Sequence, residues 1–513
     1  MQIFSYFNHT GGMNAAQNDA ALSDREAELI VNLQPANDGT WSTNNVGYKR
    51  LNAVPLAEGA PIDGMHAFKG QLIAASGGKL YSLTVGSGVV TELYTGLTPG
   101  QRVRFLTFQG FLMMFDGASA PLRWDGINAV EPLPGWPPAI LGFAPGAPGF
   151  GAIYSNRLCL AGDAQNPSAL YISAIEDPTA FEPGSLPESA GLIQIAPGDG
   201  QKITALKPLF LPLDSIEVLV IFKERAIYML QGQDGDTFTV QKISDSSGAA
   251  GPDAVVTLGG TLLFLDESGV SAFSTEGAQG ALQQGLGGAL SKSISALLQR
   301  LNRSALGNAF ALHDAAREQL WWVVPDGSAS RNNRVLVQHV ALRAQQPAWS
   351  LREGFEARCG VVLNETLYTG DYAGQIYIQQ RGNTYEAAAI AWKYRTPFYT
   401  LGNPRTRKRI REVQVYCKQI AQVDLMIESA WDYRRAASRR HRQFVRVTPD
   451  AASAVYGSAR YGENNYNESG SSLIRFTPPG SGQALQLTFY GTSADPPVAL
   501  QGWQILSIDG GVR

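Results

Sequence analysis

The sequence predicts an all-β chain built around a β-propeller, and three observations carry that prediction. Hairpins of similar make-up recur along the chain. Glycine is abundant, at 55 of 513 residues, where about 7% is usual, and glycine is the default residue of tight turns. Charged residues are few, 17% of the chain against about 25% in typical soluble domains, which suits a surface partly buried against partners. A hydrophobic content of 44% excludes a disordered chain, and the length exceeds one ordinary domain.

Residues 1–55 form an N-terminal arm in which short strands alternate with turns. Such an arm closes a ring or reaches a neighbour. Its start, "MQIFSYFNHTGGMN", lacks the basic and apolar regions of a signal peptide. The chain has no run of 18 apolar residues, so no membrane span is expected.

Residues 56–385 are the predicted propeller. "GQLIAASGGKLYSL" at 70–83 reads as a strand, a glycine turn and a second strand, and "GFLMMFDGASAPLRW" at 110–124 repeats the plan. Related segments follow at 156–173, 217–230, 260–274, 318–339 and 365–379. The first strands begin near residues 71, 111, 157, 218, 261, 319 and 366, giving steps of 40, 46, 61, 43, 58 and 47 residues. Turn chemistry between β-rich runs marks a hairpin. Recurrence at roughly 40–50 residues marks a four-stranded propeller blade. One blade cannot bury both of its faces, whereas a closed ring covers each face with a neighbour. Six, seven or eight blades are compatible with the spacing, and an irregular sandwich or solenoid is the competing architecture.

The longer steps have local causes. "SAIEDPTAFEPGSLPESAGL" is rich in proline and turn residues and reads as an ordered loop. Near 290–304, Leu290, Ile294, Leu297, Leu298 and Leu301 recur at helical spacing behind serines, which predicts one short inserted amphipathic helix of three or four turns. It packs on a blade edge or contacts another subunit. Residues 386–513 lose the hairpin pattern and run as successive strands, predicting a separate antiparallel β-sandwich.

Cys159, Cys359 and Cys417 are widely spaced and odd in number, so they read as reduced core thiols rather than a disulfide or zinc framework. The five histidines fall in no metal-binding spacing, and neither a nucleophile elbow nor a phosphate loop occurs. Acidic residues such as Asp116, Asp266, Glu267 and Asp371 stand at turns. No enzyme, cofactor or metal is expected.

Charge is uneven. Residues 393–446 hold 14 basic against 4 acidic residues, an excess of +10, leaving 27 against 40, or −13, elsewhere. The candidate contact residues are Arg405, Arg407, Lys408, Arg409 and Arg411 in one cluster, with Arg434, Arg435, Arg439, Arg440, Arg442 and Arg446 in the other. Such density repels itself unless an anion or acidic surface lies near. Three fates are open: contact with DNA phosphates without sequence specificity, docking on the acidic remainder of a neighbouring subunit, or a solvated face. Aromatic residues are not interleaved, which weighs against a single-strand platform.

The order of the N-terminal arm "FNHTGGMNAAQNDAALSDREAELIVNL", the weak hairpin repeats, "LYISAIEDPTAFE" (170–182), "VLVIFKERAIYML" (218–230), "GPDAVVTLGGTLLFLDESGVSAFS" (251–274) and "RTPFYTLGNPRTRKRIREVQVY" (395–416) resembles the nozzle, or tail-hub, proteins of short-tailed bacteriophages, including the packaged-DNA stabilisation proteins. The resemblance spans most of the chain through loose motifs. It implies a propeller-based virion subunit, made in the host cytoplasm and assembled as a hexameric ring below the portal and its head-to-tail adaptor protein. The lumen of that ring conducts and retains genomic double-stranded DNA. Tail fibres or spikes attach outside it, and a plug or needle protein closes its tip. The rival class is a carbohydrate- or receptor-binding propeller, which needs exposed aromatics at equivalent blade positions; Trp124, Trp321 and Trp322 are its candidates. A propeller hydrolase ranks below both.

Overall fold

The computed structural model describes residues 1–16, 21–211, 216–274, 290–342, 347–419, 423–433, 440–447, 471–493 and 497–509. Seven antiparallel blades follow one another, and the seven hairpins expected from the sequence are their second and third strands. Blade 1 comprises Ile62–Phe68, Gln71–Ser76, Lys79–Leu83 and Val90–Thr95. Blade 2 comprises Arg104–Phe108, Phe111–Phe115, Leu122–Trp124 and Glu131–Pro132. Blade 3 is built from Phe150–Tyr154, Arg157–Ala161, Ala169–Ile172 and Gly191–Gln194. Blade 4 follows with Ile203–Leu211, Ile216–Lys223, Ile227–Gln231 and Thr239–Ser244. Blade 5 has three described strands, Val255–Leu258, Thr261–Leu265 and Val270–Ser274. Blade 6 contains Phe310–Asp314, Gln319–Val324, Arg334–His339 and Ala348–Glu353. Blade 7 has Cys359–Leu363, Thr366–Gly370 and Ile376–Gln379, and takes its fourth strand from Tyr48–Arg50 of the N-terminal arm.

The ring is closed on its inner side. The first strand of each blade touches that of the next, and the first strand of blade 7 returns to that of blade 1; between blades 4 and 5 the turn Pro252–Ala254 makes the contact. Blade 4 shows why its sequence permits this. In "IEVLVIFK" the apolar residues are continuous because both faces are covered. Leu219 and Ile221 pack toward blade 3, while Val218, Val220 and Phe222 pack toward blade 5. Truncating Ile221, which is fully buried, to alanine is expected to cost about 2–5 kcal/mol. Every interface between neighbouring blades has an apolar cluster of this kind.

The C-terminal strands form two packed sheets. One orders Ser471–Phe476, Lys408–Gln419 and Val498–Asp509, with Gln2–Tyr6 and Trp41–Ser42 along the far side of the last. The other orders His441–Val447, Val423–Trp431, Leu485–Ser493 and Ala388–Arg395. Its hydrogen bonding does not stop there. Leu29–Val31 lies antiparallel to Ala388–Arg395 and touches the last strand of blade 6 in parallel, so sandwich and propeller share one sheet. Segments 1–55 and 386–513 are therefore woven together. Trp41, Trp349, Trp392 and Trp503 are buried in the core that joins them to blades 5 and 6.

The inserted helix is shorter than its apolar spacing predicts. Ile294, Leu297, Leu298 and Leu301 are buried as expected, but within 292–308 the α-helical part is only Ser295–Leu298, between the 3₁₀ turns Lys292–Ile294 and Arg303–Asn308. The chain breaks at Asn302, whose side chain accepts from the Ser304 amide at 3.2 Å and starts the new turn. The three cysteines are free and buried. No helix among the described residues is long and apolar enough to cross a membrane.

Candidate functional site

The described basic residues singled out in the sequence fall on or beside strands of the two sandwich sheets, and strand alternation sorts those of Lys408–Gln419. In Lys408–Gln419, Lys408 and Ile410 point inward, whereas Arg409 and Arg411 are exposed. Lys408 is thus removed from the proposed contact surface. It is 1% exposed, and its ammonium donates to the main-chain carbonyls of Thr400, Asn403 and Gln483. A buried ammonium needs such partners to offset the loss of water, and here they tie the 400–403 turn to the strand beside it.

Arg405 and Arg407 flank that turn and are exposed. The guanidinium of Arg407 donates to Ser481 Oγ at 3.0 Å and to the Ser481 carbonyl at 2.8 Å. Among the described residues, the guanidinium groups of Arg405, Arg409 and Arg411 have no hydrogen-bond or ion-pair partner. Arg411 is the extra residue of a β-bulge, between Ile410 opposite Ser507 and Glu412 opposite Leu506.

The second cluster is partly spoken for. Arg440 and Arg442 both pair with Glu428, at 2.5 and 3.1 Å. Burial alone raises a carboxyl pKa, but the two guanidinium groups overcome it and hold Glu428 below the usual range. Arg446 stands in strand His441–Val447, opposite Asp424 in the backbone register of the neighbouring strand. Arg434, Arg435 and Arg439 lie outside the described residues.

What the sequence reading missed is the apolar company of the first cluster. Arg409 stands opposite Ile508 on the outer face of the sheet, and Ile3 of the N-terminal edge strand stands opposite Leu506. Ile3, Ile508 and Leu473 are exposed, as is Phe7, whose ring lies 5.1 Å from that of Tyr416. A sheet face carrying unpaired guanidinium groups beside exposed isoleucines has the mixed character of a protein contact surface rather than of a purely electrostatic one. Its signal in the sequence is the outward alternation of "QIFSY" and "ILSID".

The described residues contain no group of three His, Cys, Asp or Glu side chains placed to hold a metal ion. Trp124, Trp321 and Trp322 are buried, so they offer no ring face to a sugar.

No protein-family model matches the sequence, and no curated protein matches it. Solved structures are similar only at the level of fold. The WD40 domain of Pan2 from Neurospora crassa is 11% identical, with 65% of this chain and 95% of that one covered and a TM-score of 0.39. BamB from Moraxella catarrhalis is 14% identical, with 65% and 96% covered and a TM-score of 0.39. PorZ from Porphyromonas gingivalis, a surface component of the type-IX secretion system, is 13% identical, with 68% and 42% covered and a TM-score of 0.40. The chain therefore spans less than half the length of PorZ.

Proposed function

We propose that this propeller protein is a structural subunit of a short-tailed phage tail, forming a nozzle ring below the portal and adaptor that conducts and retains the genome. The observation that carries the reading is the exposed outer face of the N- and C-terminal sheet, where Arg409 and Arg411 lie beside Ile3 and Ile508. A ring subunit needs a surface that meets a different surface of the next copy, a head-to-tail contact that closes when the rotation permits. An outer face with a local excess of positive charge, on a chain whose remainder is acidic, suits such a contact. The N-terminal arm supports it mechanically, because it stitches propeller and sandwich into one block. The ring resides in the virion tail, and fibres, plug and adaptor dock on its loops.

Electron microscopy of the purified protein, alone and mixed with a portal–adaptor complex, tests this. The expected result is a ring of about six copies with an open lumen, seated coaxially on the adaptor. A protein that stays monomeric in both preparations refutes the reading.

A further inference from the structure

The propeller axis is not an empty hole. A cavity of about 280 Å³ lies there, lined by residues of the innermost strands, or the turns before them, of six blades. Four charged side chains line it: Arg102, Arg104, Lys207 and Asp253. Arg102 Nη2 and Arg104 Nε both donate to the same oxygen, Asp253 Oδ2, at 2.9 and 3.1 Å. The other amino group of Arg102 donates to the main-chain carbonyl of Arg358. That uses the only carboxylate lining the cavity among the described residues.

The remaining donors are unspent. Among the described residues, neither amino group of Arg104 has a partner, and nothing accepts from Lys207 Nζ. The nearby Arg358 pairs with Asp63 at 2.8 Å and contributes no net charge. His66, on the cavity wall, is held neutral by burial, with a pKa of about 4. Burial keeps the Cys359 thiol protonated, with a pKa of about 12. Three cations and one carboxylate therefore leave an excess of two positive charges in a half-buried site, an arrangement that costs free energy until an anion enters.

We propose that this axial cavity is a binding site for a phosphate group, held by the Arg104 fork, the Lys207 ammonium and the Arg102–Asp253 pair behind them. A guanidinium edge matches two phosphate oxygens, and an ammonium serves as a point charge beside them. The volume lies just below the range for drug-sized ligand pockets, about 300–1,000 Å³. A compact anion fits it and a polymer does not. The site belongs to the axis of the single subunit and not to any lumen between subunits, so it holds whether or not the chain builds a ring.

The experiment titrates the full chain, freed of phosphate, with inorganic phosphate and with glycerol phosphate at constant ionic strength, following heat and the thermal midpoint. Saturable binding of one phosphate per chain with a raised midpoint is expected, and binding of both ligands at one competitive site identifies small phosphate monoesters as equally accepted. If only inorganic phosphate binds, the free ion is the ligand. Lys207→Met removes an unpaired cation, so the variant folds at least as well and binds about 10-fold or more weakly, the loss expected for one charge-assisted contact. Arg104→Gln weakens binding similarly, whereas Arg409→Gln on the outer sandwich face leaves it unchanged. Absence of saturable binding, an equal response to chloride, or unaltered affinity in both cavity variants overturns the proposal.

Discussion

The side-chain amide of Asn32 donates to the carbonyl of Ala391 at 2.8 Å, while its oxygen accepts from the amide of Glu353 at 3.0 Å. One buried side chain thereby holds the last strand of blade 6 to the first strand of the sandwich. Its backbone has φ of 54°, a left-handed conformation that asparagine tolerates better than most residues. Asn32→Ala is expected to destabilise the protein by about 2–4 kcal/mol, since it strands buried main-chain groups on both sides. Asn32→Gly relieves the backbone but not the lost bonds, so it should recover only part. Calorimetric midpoints of the two variants check this. An unchanged midpoint in Asn32→Ala would show that the junction does not depend on the amide.

Lys408 and Arg409 are neighbours with opposite tasks. Lys408→Met leaves three carbonyl acceptors without their donor and is expected to cost about 1–3 kcal/mol. Arg409→Gln, exposed and unpaired among the described residues, should stay within about 0.5 kcal/mol of the parent. Denaturant midpoints at unchanged slope distinguish the two, and equal losses would contradict the inward and outward assignment.

That pair also marks where the sequence is transparent and where it is not. Hairpins such as 71–83 and 261–274 were readable because turn chemistry and period-2 apolar runs are local properties. The string "RTRKRIREV" looks like one patch of charge until it is laid on a strand, when alternation sends Lys408 to the core with Ile410. Tyr48–Arg50 carries no blade pattern, because a three-residue strand borrows its register from Ile376–Gln379. The helix near 290–304 had the correct buried residues, yet its length was limited by the turn at Asn302. Arg102 and Arg104 stand two residues apart where the innermost strand of blade 2 begins, but their meeting with Lys207 and Asp253 exists only once the ring closes.

Two buried histidines, His9 and His339, and the half-buried His66 make the fold sensitive to acid. Burial lowers the pKa of His9 to about 4 and of His66 to about 4, and burial together with the Arg352 charge lowers that of His339 to about 3. An unfolded histidine titrates near 6.5. Between that value and the folded one, the unfolded chain binds more protons, so stability falls as pH drops. The loss approaches about 1.4 kcal/mol per pH unit for each histidine. The thermal midpoint should be flat between about pH 7 and 8 and decline from about pH 6.5 toward pH 4. His339→Gln, at the position that accepts or donates to Ser350 Oγ at 2.8 Å, should shallow that decline. A midpoint level down to pH 5 would show that these rings are protonated in the folded state.

Glu428 has the opposite dependence on its state. Its pKa is depressed by Arg440 and Arg442 against the effect of burial, so its contribution is present above the unfolded glutamate value and disappears as pH falls through the folded one. Glu428→Gln should destabilise the sandwich by about 2–4 kcal/mol at pH 7, since Arg440 and Arg442 both lose the part-buried carboxylate they share. The deficit should shrink in acid, where the parent also loses the charge. A deficit independent of pH would mean that packing, not charge, is what the substitution removes.

The outer sandwich face gives the last expectation. Among the described residues, Arg407 has only Ser481 as partner and Arg409 and Arg411 have none, so reversing all three to glutamate breaks no ion pair there. The thermal midpoint should therefore move little, while a ring held by this face meeting the acidic remainder of the next copy should fail to form. Ring formation should also weaken with added salt, because exposed charges more than about 8 Å apart are largely screened at physiological ionic strength. Sedimentation of parent and triple variant across a salt series reads both effects. If the variant assembles like the parent, the contact lies elsewhere, and the exposed isoleucines beside it, Ile3 and Ile508, become the residues to alter.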